Sequence, residues 1–135
     1  MFYQGSSRID SLPGRKGDGA WAAINFEGRP YGGICGHAAV WCPGVGIVLE
    51  MPGFASIHSF LELDGQLLAL VNRDSDKFDK GAVIMQSPTG DRGSWTPRGE
   101  PFSSPMLFHG QGRIVVGGRF SQETTKGFGR AYELT

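Results

Sequence analysis

The sequence predicts an all-β protein, and within that class a fragment of a β-propeller built from four-stranded antiparallel blades. Three observations carry this. Glycine is abundant at 22 of 135 residues, yet 39% of the chain is apolar and 11% aromatic, so short apolar runs are punctuated by turns. Gly-centred turns recur at Asp18-Gly19, Asp64-Gly65 and Gly110-Gln111-Gly112, 46 and then 47 residues apart. The run after each turn is nearly continuous in apolar residues, as in a strand covered on both faces.

Taken in order, the first unit places strands near 6–12, 20–27, 31–41 and 46–51. Setting its anchor on Gly28 instead would make the intervals 37 and 47 residues, so the even spacing is preferred. The second unit is the clearest. Asp64-Gly65 between apolar runs signals a type I′ hairpin, because that turn needs φ > 0 at both central residues. Gln66-Leu67-Leu68-Ala69-Leu70-Val71-Asn72 follows, then a strand at Ala82–Ser87 and another from Ser94-Trp95-Thr96 onward. Pro97 and Pro101 mark that last strand as an edge. The third unit places strands near 105–109, 113–119 and 128–134 and lacks an outer strand. The blades fall at about 1–52, 53–103 and 104–135 of one partial domain. Fewer than three blades cannot close a ring, since propellers carry ~4–8. The remaining blades of a longer parent, or self-association, are therefore expected as partners. A two-sheet β-sandwich is the competing architecture.

Formal charge is zero, with 13 basic and 13 acidic residues, so no nucleic-acid footprint is indicated. No apolar run approaches the ~20 residues of a membrane span. No signal peptide is visible at Met1-Phe2-Tyr3-Gln4-Gly5, which leaves the localisation open. Cys35 and Cys42 can form a disulfide or remain as two buried thiols. Cys35-Gly36-His37 with Cys42 offers ligand types without zinc spacing, so no metal or other cofactor is expected. His37, His58 and His109 are read as structural.

Residues 63–95 carry a family resemblance. Leu63 to Arg73 resembles the inner hairpin of a sialidase-superfamily blade, and Thr89-Gly90-Asp91-Arg92-Gly93-Ser94-Trp95 resembles that family's Asp-box (BNR) repeat. One residue separates Gly93 from Trp95, one fewer than in the family pattern. Asp91 would cap backbone N–H groups of its own turn, Gly93 would take φ > 0, and Trp95 would pack into the blade. Ser7-Arg8-Ile9-Asp10 resembles the family's Arg-Ile-Pro segment, with Asp10 in the proline position. Glu27-Gly28-Arg29 and Gly118-Arg119 resemble its strand ends.

The resemblance implies a six-bladed parent and a sialidase-type glycoside hydrolase acting on or binding acidic, sialylated carbohydrate. The chain alone would be inactive. The alternative is a non-catalytic glycan-binding or structural interaction propeller. In the family, arginines hold the substrate carboxylate, since guanidinium forks bind carboxylates bidentately. Arg8, Arg29, Arg73 and Arg119 are the candidates. The loop after the first unit's second strand has no Asp, which leaves Asp74 and Asp76 as candidate acid/base residues. Arg29, Arg73 and Arg119 would each follow the second strand of a unit and share one mouth of the ring, with Asp91 and Trp95 elsewhere.

Overall fold

The computed structural model describes residues 18–72, 81–102, 106–109, 114–119 and 128–134. Its strands are β1 (Gly19–Phe26), β2 (Arg29–Cys35), β3 (Ala38–Cys42), β4 (Gly46–Met51), β5 (Ser56–Leu63), β6 (Gln66–Asn72), β7 (Ala82–Ser87), β8 (Thr96–Pro97), β9 (Met106–His109), β10 (Ile114–Arg119) and β11 (Phe128–Glu133). The described residues contain strands and no helix.

β1 to β8 form one eight-stranded antiparallel sheet. Its hydrogen-bonded path runs β4-β3-β2-β5-β6-β7-β8, with β1 paired to β2 off that path. The sheet curls into a half-barrel. A separate sheet of order β11-β10-β9 lies beside it, with β9 against β5 and β6.

This corrects the propeller. Separate blades would each be hydrogen-bonded only within themselves. Here Cys35 of β2 pairs with Ser56 of β5, and next to that pair Gly36 N donates to Ala55 O at 2.9 Å and Ala38 N to Phe54 O at 3.2 Å. The ladder therefore passes from the first four strands to the second four. The blade and BNR-repeat description falls with it, and so does the six-bladed parent it implied.

The curl has local causes. Register shifts at Ala20/Ala22, Val40/Trp41 and Ile57/Ser59 are β-bulges, which bend a strand and increase its twist. Gly32 and Gly33 lie in the middle of β2. A Cβ on Gly33 would stand 2.8 Å from Ile57 Cβ, and one on Gly32 would stand 3.1 Å from the Trp41 ring. Two adjacent residues without side chains let β5 cross close over β2 while Trp41 covers the other side.

The first hairpin is also corrected. Its turn is Glu27-Gly28, with φ of 51° and 76°, closed by the Phe26–Arg29 pair. Gly19 begins β1 instead of forming a turn. Asp64-Gly65, with φ of 52° and 75°, repeats the same two-residue geometry between Leu63 and Gln66. The true spacing of these turn glycines is thus 37 residues, the interval set aside in favour of even spacing. The expected strand near 6–12 lies outside the described residues.

β6 is the centre of the core. Leu67, Ala69 and Val71 enter a cluster with Phe26, Tyr31, Val40 and Ile57. Leu68 and Leu70 face the other way, into a cluster with Leu63, Ile84 and Leu134. Burial on both faces is why this strand reads as an unbroken apolar run. Burying a leucine side chain of this kind stabilises by ~1.5–3 kcal/mol before chain entropy is counted.

Cys35 and Cys42 are both free thiols. They stand at opposite ends of the β2–β3 ladder, which runs from Gly32–Trp41 to Ile34–Ala39. Four residues of strand separate them by roughly 13 Å at ~3.3 Å per residue, beyond the ~7 Å Cα limit for a disulfide.

Candidate functional site

The two ends of the curled sheet carry different chemistry. At one end are the turns 27–28 and 64–65 and the loop after β7. At the other are the β2–β3 turn, the β4–β5 link and the end of β6. The register runs Cys35–Ser56–Asn72, which fixes the second group together.

The first end is a cross-link between β1–β2 and the β7–β8 loop. Arg29 Nη2 donates to Asp91 Oδ1 at 2.8 Å and to Thr89 O at 3.0 Å. The Arg29 guanidinium lies 5.5 Å from the centroid of the Tyr31 ring. Tyr31 O–H donates to Thr89 O at 3.3 Å. Gly90, at φ 78°, is buried against the Tyr31 phenol, and a Cβ there would overlap its hydroxyl oxygen. Arg92 donates through Nε and Nη2 to Ile47 O, at 3.0 and 2.7 Å, tying the same loop to β4.

Asp91 does not cap its own turn. Ser87 Oγ takes that part, accepting from Thr89 N at 3.2 Å and Gly90 N at 2.6 Å, while Thr89 Oγ1 accepts from Asp91 N at 3.3 Å. Ser94 Oγ bonds to Ser87 Oγ and to Asp91 O. Serine serves here because its hydroxyl can both accept and donate inside a tight loop. The loop is therefore not an Asp-box in its wiring. Gly93 is at φ 84°, and Trp95 packs partly buried against the larger core cluster.

Arg29 and Asp91 form an ion pair at this end. The Arg29 hydrogen bond, with a smaller contribution from Thr89, holds the Asp91 carboxyl below its usual range. The same bond makes Arg29 more firmly cationic. Burial pushes the Tyr31 phenol up, against the opposing charge of Arg29. Arg29 opens β2, so it stands at the opposite end of the sheet from Asn72, where β6 finishes.

Arg8, Arg73, Asp74 and Asp76 lie outside the described residues. Arg119 closes β10, paired with Phe128.

The second end holds a pocket of about 380 Å³, lined by Gly36, His37, Ala38, Glu50, Met51, Pro52, Gly53 and Phe54. The tight β2–β3 turn, with Gly36 at φ 113°, presents His37 at its rim. Asp18, immediately before β1, reaches this turn. Its side chain is 8% exposed, and its Oδ2 lies 2.6 Å from His37 Nδ1. Gly36 is the space that admits it, since a Cβ there would collide with Asp18 Oδ1. The two atoms are close, but Nδ1 makes no hydrogen bond there. Glu50 is exposed on the edge strand β4, and Met51 and Phe54 are half-buried. Chemically, the pocket sets the side chains of Met51, Pro52 and Phe54 beside an imidazole and a carboxylate, and its exposed lining is as much polar as apolar.

Reading the sequence missed this site. Asp18 looked like a turn residue and His37 a structural one, and nothing local to either signals that they meet. No set of three or more His, Cys, Asp or Glu side chains suited to a metal occurs among the described residues.

Compared with known protein families, with characterised proteins and with solved structures, the chain matches none. The sialidase resemblance is thus supported by neither relatives nor architecture. Glycoside hydrolysis and glycan binding, which rested on that resemblance, are withdrawn.

Proposed function

We propose that this chain is a small-ligand-binding β module, with its site in the pocket between the β2–β3 turn and the β4–β5 link. One observation carries the reading: a cavity of about 380 Å³ in which His37, with the nearly buried Asp18 close against it, stands beside Ala38, Met51, Pro52 and Phe54. Ligand pockets have that size, ~300–1,000 Å³, and place a few fixed polar groups beside apolar surface. The contrast with the Arg29 end supports the choice. There, Arg29 pairs with Asp91 as a clasp between β2 and the β7–β8 loop. At the pocket, His37 and the exposed Glu50 both line the cavity.

The test is amide chemical-shift mapping with a library of small amphipathic fragments. Shifts should concentrate at 36–38 and 50–54 and vanish in Phe54→Ala, with the rest of the spectrum retained. Hits that map to the Arg29–Asp91 end, or no hits, would remove the proposal.

A further inference from the structure

We infer that the pocket takes an indole, the Trp21 side chain of a second copy of this chain, so that copies join as knob and socket. The inference rests on the pocket reading above and names the pocket's occupant.

The backbone builds the knob. In β1, Ala20 pairs with Ile34 and Ala22 with Gly33, so Trp21 is the extra residue of a bulge. A bulge re-aims the side chain it carries. Trp21 is 60% exposed, and with Val45 it makes up the exposed large apolar side chains among the described residues. Its ring leans on His58, 6.2 Å between centroids at a tilt of 58°. Ala20 and Ala23 beside it are exposed and short, and no charged residue occurs from Gly19 to Phe26. A partner surface therefore reaches the indole without stripping water from a charge on that strand.

The socket suits an indole in size and in chemistry. Its volume, about 380 Å³, lies among pockets that take whole small ligands, ~300–1,000 Å³. Its lining mixes Met51, Pro52 and Phe54 with His37 and Glu50. Tryptophan has the same mixture, a large apolar body with one N–H donor and no acceptor. Glu50, exposed at the cavity, offers carboxylate oxygens to that N–H. Trp21 does not line the pocket of its own chain, so the contact is made between copies. Knob and socket are different patches, so the knob of one copy meets the socket of another without either patch having to match itself.

The experiment follows amide and indole N–H spectra of the full chain as its concentration is raised, with sedimentation velocity for size. The Trp21 indole signal and the amides of 36–38 and 50–54 are expected to shift together as copies associate. Trp21→Ala should weaken association about thirtyfold, the loss of one central aromatic anchor. Trp21 is exposed, so this variant should keep the fold. Free indole should shift residues 36–38 and 50–54 and return the Trp21 signal to its dilute position. Trp21→Ala keeps the socket and Phe54→Ala keeps the knob. Each alone should stay monomeric, and an equal mixture should form one-to-one pairs. If the chain stays monomeric while free indole binds the pocket, the second-copy assignment is overturned and the pocket stands. The same holds if Trp21→Ala associates as tightly as the unaltered chain, or if Phe54→Ala associates by itself. The indole competition needs no pocket variant, so it decides the case even where Phe54→Ala unfolds. If neither indole nor the fragment library moves residues 36–38 and 50–54, the pocket reading fails and takes this inference with it.

Discussion

Gly33→Ala is the sharpest test of the curled sheet. Gly33 has no left-handed φ, so alanine is allowed by its own backbone. Only the neighbours object. A Cβ would stand 2.8 Å from both Cβ and Cγ2 of Ile57 and 3.1 Å from its carbonyl oxygen. Carbon atoms prefer ~3.5–4.0 Å, so the overlap is roughly 0.7–1.2 Å. Rotating the Ile57 side chain relieves neither the Cβ nor the carbonyl contact, so β5 must move off β2. Overpacking of this kind costs ~1–3 kcal/mol, and a backbone obstacle places this case near 2–3. For a chain of this size the melting temperature should fall by roughly 8–12 °C. Gly19→Ala is the control, since a Cβ there meets nothing within 4 Å. It should be neutral or stabilise by up to ~1 kcal/mol through the unfolded chain. Urea denaturation followed by circular dichroism measures both. If Gly33→Ala falls within ~0.5 kcal/mol of Gly19→Ala, β5 does not cross β2 at this point and the half-barrel argument fails.

Other outcomes follow from the turns and the titrating groups. Gly65→Ala places a side chain at φ 75° in open space, so backbone strain alone should cost ~1–2 kcal/mol in the same denaturation assay. His58 is partly buried beside Trp21, and burial lowers its pKa below the ordinary 6.5. The unfolded chain then takes up the proton first. Stability should be complete above about 6.5 and fall as pH drops from there toward the lower folded value, and His58→Phe should flatten that part of the profile. Asp91, with its pKa depressed, contributes above the ordinary carboxylate value and loses its contribution as pH falls through the folded one. A carboxyl NMR titration should place its midpoint below 3.8, and Arg29→Gln should move it back up.

What the sequence by itself determined was local. Asp64-Gly65 announced its turn because φ > 0 at two successive residues restricts which types fit. The run Leu67–Val71 announced a strand buried on both faces, and Pro97 an edge. The strands of the third unit lie within a residue or so of their expected places. Each of these features depends on a few neighbouring residues.

What only the tertiary structure decided was how the strands combine. Whether eight strands form separate blades or one curled sheet turns on the long-range junction of Cys35 with Ser56, with the two hydrogen bonds beside it, and on the space left at Gly33. Neither residue advertises its partner, because hydrogen bonds between strands are made by backbone groups that every non-proline residue carries. The same holds for chemistry. Arg29 and Asp91 are 62 positions apart, and Asp18 and His37 are separated by the whole β1–β2 hairpin. A side chain's role depends on the charge it meets, and that neighbour is supplied by the fold. For this reason Arg29, read as a ligand-binding residue, is found clasped to Asp91, while His37 meets a carboxylate beside an open pocket.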